Sequence, residues 1–390
     1  MALTTVSSDR LSTNVKNTNF TAAEKQDLTD DILPLAGQIG NRNKVINGEM
    51  LCAQRGVSFS PNASAQIYTL DRFQHVATSG VAFDCTVTQD SSAPAGFSKS
   101  YKVTPDAADT PSGGGNGTIR TKIEGQDVQD LAYGGSDAKK VTVSFYAKSA
   151  SQNNGHQYTF QLRHFATDGT QRSINAPFTI TSSFQRFTFT FVGDTAVDII
   201  KTEAVGLELC WHLAAGPDDI ASQHTTWVTT NLFTCVTGQS NFMSSTSNEF
   251  YLTGVQLEVS DFATSFEHRS FAEELALCQR YYFRFTTSVS GTHVGMGHQM
   301  TSSAAKIILP FPTSMRARPT AVETTGTASD YTVARTSTYE VCNVVPTFAG
   351  ASKEVANVNT NQTQASLSTG IAVVLRANTT AFYLGFSAEL

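Results

Sequence analysis

The sequence predicts a mainly β protein in four parts. These are an N-terminal arm with a short helix (residues 1–42), a jelly-roll β-sandwich (43–268), a linker helix (269–285) and a second, smaller C-terminal β-sandwich domain (286–390). Three observations predict it. Apolar and polar residues alternate with period two in five separate stretches, the signature of strands with one buried and one wet face. Charged residues make up 15% of the 390 while hydrophobic ones make up 40%, so Ser, Thr, Asn and Gln must supply much of the polar surface, a mixture suited to strands and loops. No long helical pattern separates the alternating stretches, which argues against a parallel βαβ sheet.

The arm begins rich in Thr and Ser. Thr21-Ala-Ala-Glu24 then has the form of a capping box, and a helix is expected from Ala22 to Leu33, ended by Pro34. One helix of that length makes no core alone. Its apolar residues Phe20, Leu28, Ile32 and Leu33 are therefore candidates for docking on a partner, the alternative being a loose terminus.

The sandwich is predicted from Val141 to Ala147, Tyr158 to Leu162, Phe187 to Phe191, Val205 to Leu213 and Val255 to Val259. Thr167-Asp168-Gly169 reads as a hairpin tip. Pro111 to Gly117 (PSGGGNG) reads as a flexible loop; it lacks the lysine and hydroxyl a phosphate-cradling loop needs. Ser270-Phe-Ala-Glu273 is a second capping box, and Phe271, Leu275, Cys278 and Tyr282 recur at helical spacing as its expected core-facing stripe. Strand character then returns to Leu390, with Lys306 to Pro312, Ile371 to Leu375 and Phe382 to Phe386 the clearest runs.

Composition also narrows function. A net charge of −6 argues against a broad electrostatic footprint for nucleic acid. No run approaches the roughly 20 apolar residues of a membrane span, and the first residues lack a secretory pattern, so no membrane insertion and synthesis in a cytoplasm are expected. The six cysteines form no CxxC and are expected to be buried thiols. No GxSxG, HExxH or metal-ligand spacing occurs. His293 and His298 leave open a shared metal on a symmetry axis, but no metal, cofactor or catalytic residue is assigned. Sugar sites need aromatic faces beside amides or carboxylates. Trp211, His212 and Trp227 flank the polar stretch AAGPDDIASQHTT and, with Tyr68, are the candidate glycan-binding residues.

NKVINGEMLCAQRG (Asn43 to Gly56), YTLDRF (Tyr68 to Phe73), VSFYAKS (Val143 to Ser149), SSFQRFTFTF (Ser182 to Phe191) and, most specifically, VQLEVSDFATSFEHRSFAEELALCQRYY (Val255 to Tyr282) occur in that order. Together they resemble tail-fibre and appendage proteins of bacteriophages, marine ones especially, whose jelly-roll domain resembles carbohydrate-binding modules. PFPTSMRARPT (Pro310 to Thr320) and the closing FSAEL look like the terminal domain of such fibres. The sequence departs from that pattern at Phe73, where a Trp usually follows Asp-Arg. The resemblance implies a non-enzymatic virion protein made in the host cytoplasm: a homotrimeric tail fibre whose arm meets a tail adaptor, nozzle or capsid and whose β domains bind host surface polysaccharide. A capsid decoration or head-fibre protein and a polysaccharide depolymerase are the alternatives.

Overall fold

The computed structural model describes residues 41–61, 66–230, 233–335, 338–362 and 368–390. The expected arm helix and its candidates Phe20, Leu28, Ile32 and Leu33 lie outside the described residues. The chain divides into residues 1–43 and one compact unit, 44–390, which holds both β regions.

The first β region is a two-sheet antiparallel sandwich, with strands numbered in chain order. One sheet runs β1 (Ser58–Phe59), β4 (Cys85–Asp90), β5 (Ser100–Pro105), β15 (Phe250–Glu258), β7 (Val141–Ser149), β10 (Gln185–Phe191). The other runs β13 (Val228–Thr229), β9 (Gln171–Thr179), β8 (Gln157–Phe165), β11 (Val205–Ala215), β6 (Asn116–Glu124), β3 (Phe73–Ala77), β2 (Gln66–Tyr68). All five predicted alternations fall on these strands. Their apolar positions meet between the sheets, where Trp211 packs 5.3 Å from Phe160 and 5.5 Å from Phe145, centroid to centroid. Burying such aromatic area is the main favourable term for a sandwich of this size. The Thr167–Gly169 tip joins β8 to β9, with the Asp168 carboxylate accepting from the Thr170 amide and Gly169 at φ +85°.

The glycine-rich loop, read as flexible, is packed down. The Ser112 amide donates to the Gly80 carbonyl, and a Cβ on Gly115 would stand 2.3 Å from the Gly80 carbonyl carbon. Only glycine allows the two backbones to approach so closely.

Helix α1 (Phe271–Gln279) starts where Ser270 predicts, its hydroxyl accepting from the Glu273 amide. Its buried stripe differs from the expected one. Glu274 and Cys278 face inward, while Phe271 is 56% exposed. Glu274 accepts from the Asn47 amide and from Arg269, so a buried polar requirement of the neighbouring turn set the helix's rotation. Tyr282 is buried, but in a strand.

The smaller β region follows the helix. β16 (Tyr282–Thr286), β24 (Tyr383–Ser387) and β19 (Glu323–Thr324) form a three-stranded sheet. The remaining strands close a barrel in the order β17 (His293–Gln299), β18 (Ala304–Pro310), β22 (Val355–Gln362), β21 (Thr338–Ala351), β20 (Tyr331–Arg335), β23 (Ala372–Ala377). The second domain thus closes a sheet on itself and adds a small open one. Ile307, Leu309, Val333, Val358 and Leu375 fill the interior. A Cβ on Gly297 would lie 1.8 Å from the Lys306 carbonyl oxygen, so only glycine permits β17 to approach β18 there.

A joint of stacked cations links the two β regions. The Arg72 guanidinium lies 3.5 Å from the Tyr281 ring centre, pairs with Glu389 and donates to the Lys122 carbonyl. Arg55 lies 3.6 Å from the Tyr282 ring centre. Arg280 grips the Glu124 carboxylate through two donors, each 2.9 Å. The Leu390 carbonyl accepts from Tyr68 and Lys122. Strand β12 (Ile220–Ala221) pairs in parallel with β14 (Cys235–Val236) over the outer face of the seven-stranded sheet.

Candidate functional site

The outer face of the seven-stranded sheet carries the polar half of each alternation: Thr118, Arg120, Gln161, Arg163, Glu208 and His212. In β11 that phase is opposite to Leu207, Leu209 and Trp211. An open face of this kind could hold a sugar chain, but here the chain covers it. The described residues of segment 216–240, which includes most of the polar stretch between the candidate aromatics, are its roof. The Val236 amide donates to the Thr159 hydroxyl, Asn175 donates to the Thr234 carbonyl, and Gln239 donates to the His212 carbonyl. Phe233 sits over the sheet, with the Arg163 guanidinium 4.7 Å and the His212 ring 5.3 Å from its centre.

Beneath the roof Glu208 is clamped by Arg163 at 2.7 Å and Arg120 at 3.3 Å, and Arg120 reaches on to Gln74 and Gln66. Burial opposes the Glu208 charge, yet the two guanidiniums outweigh it and hold the carboxyl below its ordinary range. His212 is fully buried. Its Nδ1 lies 2.8 Å from the Thr118 hydroxyl and its Nε2 3.0 Å from Gln161 Oε1. Burial, aided by the Arg163 charge, pushes its pKa down to about 3, so it is a neutral structural ring.

The candidates therefore separate. Trp211 lies in the sandwich core and His212 under the roof, and neither shows a face to solvent. Trp227 is only 8% exposed, with Tyr133 and His164 against its ring and its indole N–H donating to the Val192 carbonyl at 2.7 Å. These three residues are corrected from glycan contacts to packing groups: each buries too much apolar ring, or too completely satisfies its polar atoms, to turn outward.

Tyr68 alone lines an open hollow. A crevice of about 400 Å³ lies between the jelly roll and the three-stranded sheet, lined by Arg55, Gln66, Tyr68, Arg284, Glu323 and Tyr383 among others. The Tyr68 hydroxyl is tied to the Leu390 carbonyl at 2.6 Å, and burial raises its pKa, which fixes the phenol in its neutral form. Arg284 stacks on Tyr383, its guanidinium carbon 3.4 Å from the ring centre, and donates to the Arg55 carbonyl at 2.6 Å. Tyr282 donates to Glu323 at 2.7 Å. Aromatic rings, an amide, cations and a carboxylate thus converge on one concave surface, the composition of a polar ligand site. Arg284, Glu323 and Tyr383 were not among the candidates read from the sequence. They lie in the other β region, far along the chain from Tyr68, and only the joint brings them together.

A second hollow of about 320 Å³ runs along the sandwich edge between β9 and β10, lined by Asn175, Phe189, Val192 and His224 among others. No group of three or more His, Cys, Asp or Glu among the described residues is arranged to hold a metal ion.

No protein-family model and no curated protein sequence matches the chain. Among solved structures it is similar to the enzymatically active domain of bacteriophage CBA120 tailspike protein 4, at 14% identity and a TM-score of 0.32, over 56% of this chain and 22% of that one. It is also similar to the family 11 carbohydrate-binding module of the cellulosomal cellulase Lic26A-Cel5E of Clostridium thermocellum, at 11% identity and a TM-score of 0.27, over 54% of this chain and 99% of that one. A third similarity is to the CBM22-1 xylan-binding domain of Paenibacillus barcinonensis Xyn10C, at 11% identity and a TM-score of 0.26, over 53% of this chain and 95% of that one.

Proposed function

We propose that this chain is a non-catalytic virion structural protein of a bacteriophage, a homotrimeric tail fibre or appendage. It attaches through residues 1–42 and takes host surface polysaccharide in the crevice between the jelly roll and the three-stranded sheet. The observation that carries the binding reading is the crevice itself, where Tyr68 and Tyr383 supply rings and Gln66, Arg284 and Glu323 supply hydroxyl partners. Assembly is supported by an apolar row on the outside of the barrel. Ile308, Met296 and Val374 stand opposite one another across three strands, and Tyr339 continues the row beyond the covered Ala334, with Met296 73%, Tyr339 55% and Ile308 50% exposed. Monomeric proteins rarely leave such a patch uncovered.

The test is a binding screen of the full chain against an array of bacterial surface polysaccharides, with Tyr383→Leu beside it. Binding that falls at least tenfold in the variant at unchanged melting temperature supports the crevice. Binding untouched by the variant moves the site elsewhere. New reducing ends on incubation transfer the reading to a depolymerase.

A further inference from the structure

Resting on that reading, we infer that the crevice selects an acidic sugar, a saccharide carrying a carboxylate, and that Arg284 is the residue that recognises it. The guanidinium is held rigidly and only half used. Its face lies on Tyr383, and Nη1 donates to the carbonyls of Gln54 and Arg55. Along the other edge, Nε is buried without an acceptor, and Nη2 has no protein acceptor among the described residues. A carboxylate in the crevice can be met by Nη2 through a charge-assisted hydrogen bond, while the buried Nε leaves the guanidinium without a second acceptor.

The charges around the crevice point the same way. Arg55, the other guanidinium in the lining, is already paired with Asp71 and Glu389. Glu323, the lining carboxylate, accepts from the Tyr282 hydroxyl, and no carboxylate among the described residues is within ion-pairing distance of Arg284. Arg284 is therefore a cation without a counter-charge, fixed by a ring and two carbonyls at a concave surface. Such a group costs little ordering on binding and gains most from an anion. Tyr68 and Gln66 beside it offer a ring and an amide for the neutral parts of a sugar.

Calorimetric titration of the full chain at low salt tests this. The probes are oligosaccharides of galacturonate, glucuronate and N-acetylneuraminate, their methyl esters, neutral galactose and glucose oligomers, and inorganic phosphate. The expected result is that at least one acidic oligosaccharide binds and that its methyl ester binds about 10- to 100-fold more weakly, as expected for one charge-assisted contact. Arg284→Gln is expected to lower acid binding by about the same factor and ester binding by less, so that the acid-to-ester ratio falls toward one, while Arg284→Lys recovers part of the loss. Equal binding of acid and ester overturns the inference and leaves the glycan reading standing. Binding of no saccharide overturns both. Phosphate binding as tight as the acidic sugar shows a simple anion site and overturns the choice of sugar. The ester comparison uses the unaltered chain, so it decides the matter even where Arg284→Gln fails to fold.

Discussion

The jelly roll and the barrel treat their outer faces in opposite ways. The jelly roll takes a polar sheet face, rich in groups that water would satisfy, and seals it under the described residues of its own segment 216–240. The barrel takes apolar side chains that an interior would accept and leaves them outside, in a row from Ile308 to Tyr339. The first region uses its loops to make a second, polar core. The second keeps an uncovered surface, which is what a region that meets another molecule requires. Beyond its aromatic core, the jelly roll therefore depends on keeping its buried charges paired and hydrogen-bonded, while the barrel's outer row contributes little to stability.

The contrast is sharpest at Glu208. Glu208→Gln removes the carboxylate that the buried Arg120 and Arg163 share and is expected to destabilise the jelly roll by about 3 kcal/mol, read as a lower denaturant midpoint. An unchanged midpoint would mean that the roof opens readily to water and that the face is not sealed.

His212 gives the next largest effect, through pH. Its native pKa is about 3 against an ordinary value of 6.5, so the unfolded chain takes the proton first. Stability from this group is complete above pH 6.5 and is lost as pH falls from there toward 3. Between pH 7 and pH 5 the loss is about 2 kcal/mol, at roughly 1.4 kcal/mol per pH unit. Asp71, pushed up to about 6 mainly by burial and partly opposed by Arg55, acts in reverse: protonation favours the native state as pH falls from 6 to 4. His75, pushed down to about 4 by burial, loses stability over the same range as His212, so the difference between wild type and His212→Gln is what isolates the His212 imidazole. In paired denaturation curves at pH 7 and pH 5, the wild type is expected to lose about 2 kcal/mol more than the variant. Parallel losses would place solvent at His212.

The smallest effect on stability is expected at the barrel's row. Met296→Ser and Ile308→Ser should each change unfolding free energy by no more than about 0.5 kcal/mol, as at ordinary exposed positions. On the proposed trimer, they should nonetheless lower the solution mass, measured by light scattering. A large stability loss with unchanged mass would make the row part of the fold.

Local alternation made the strands legible, and parity within them was informative. Trp211 shares the phase of Leu207, Leu209 and Leu213, a signal that it belongs to the core, although its neighbouring polar loop suggested a groove. His212 has the opposite phase and is correctly placed on the outer face. Its burial was illegible, because it depends on a roof whose contacts are set by long-range pairing. The helix start at Ser270 was legible from its capping box. The rotation that turns Glu274 inward was not, since it follows from a bond to Asn47, at the opposite end of the jelly roll's sequence. Barrel closure was hidden for a similar reason: it is a matter of register between strands far apart in the chain, such as β17 and β23. The crevice lies at the far end of this scale, assembled from Tyr68, Arg284, Glu323 and Tyr383.

The joint has a mechanical consequence. The smaller β region is strapped to the jelly roll at one place by Arg280 on Glu124, next to the helix, and at another by Glu389 and Leu390 on Arg72, Tyr68 and Lys122. Two separated straps prevent free swivelling in a way that one linker cannot. A pull or twist on the barrel reaches the sandwich as shear across strands β2, β3 and β6, with the load divided among several bonds. The barrel region is thereby coupled stiffly to the sandwich.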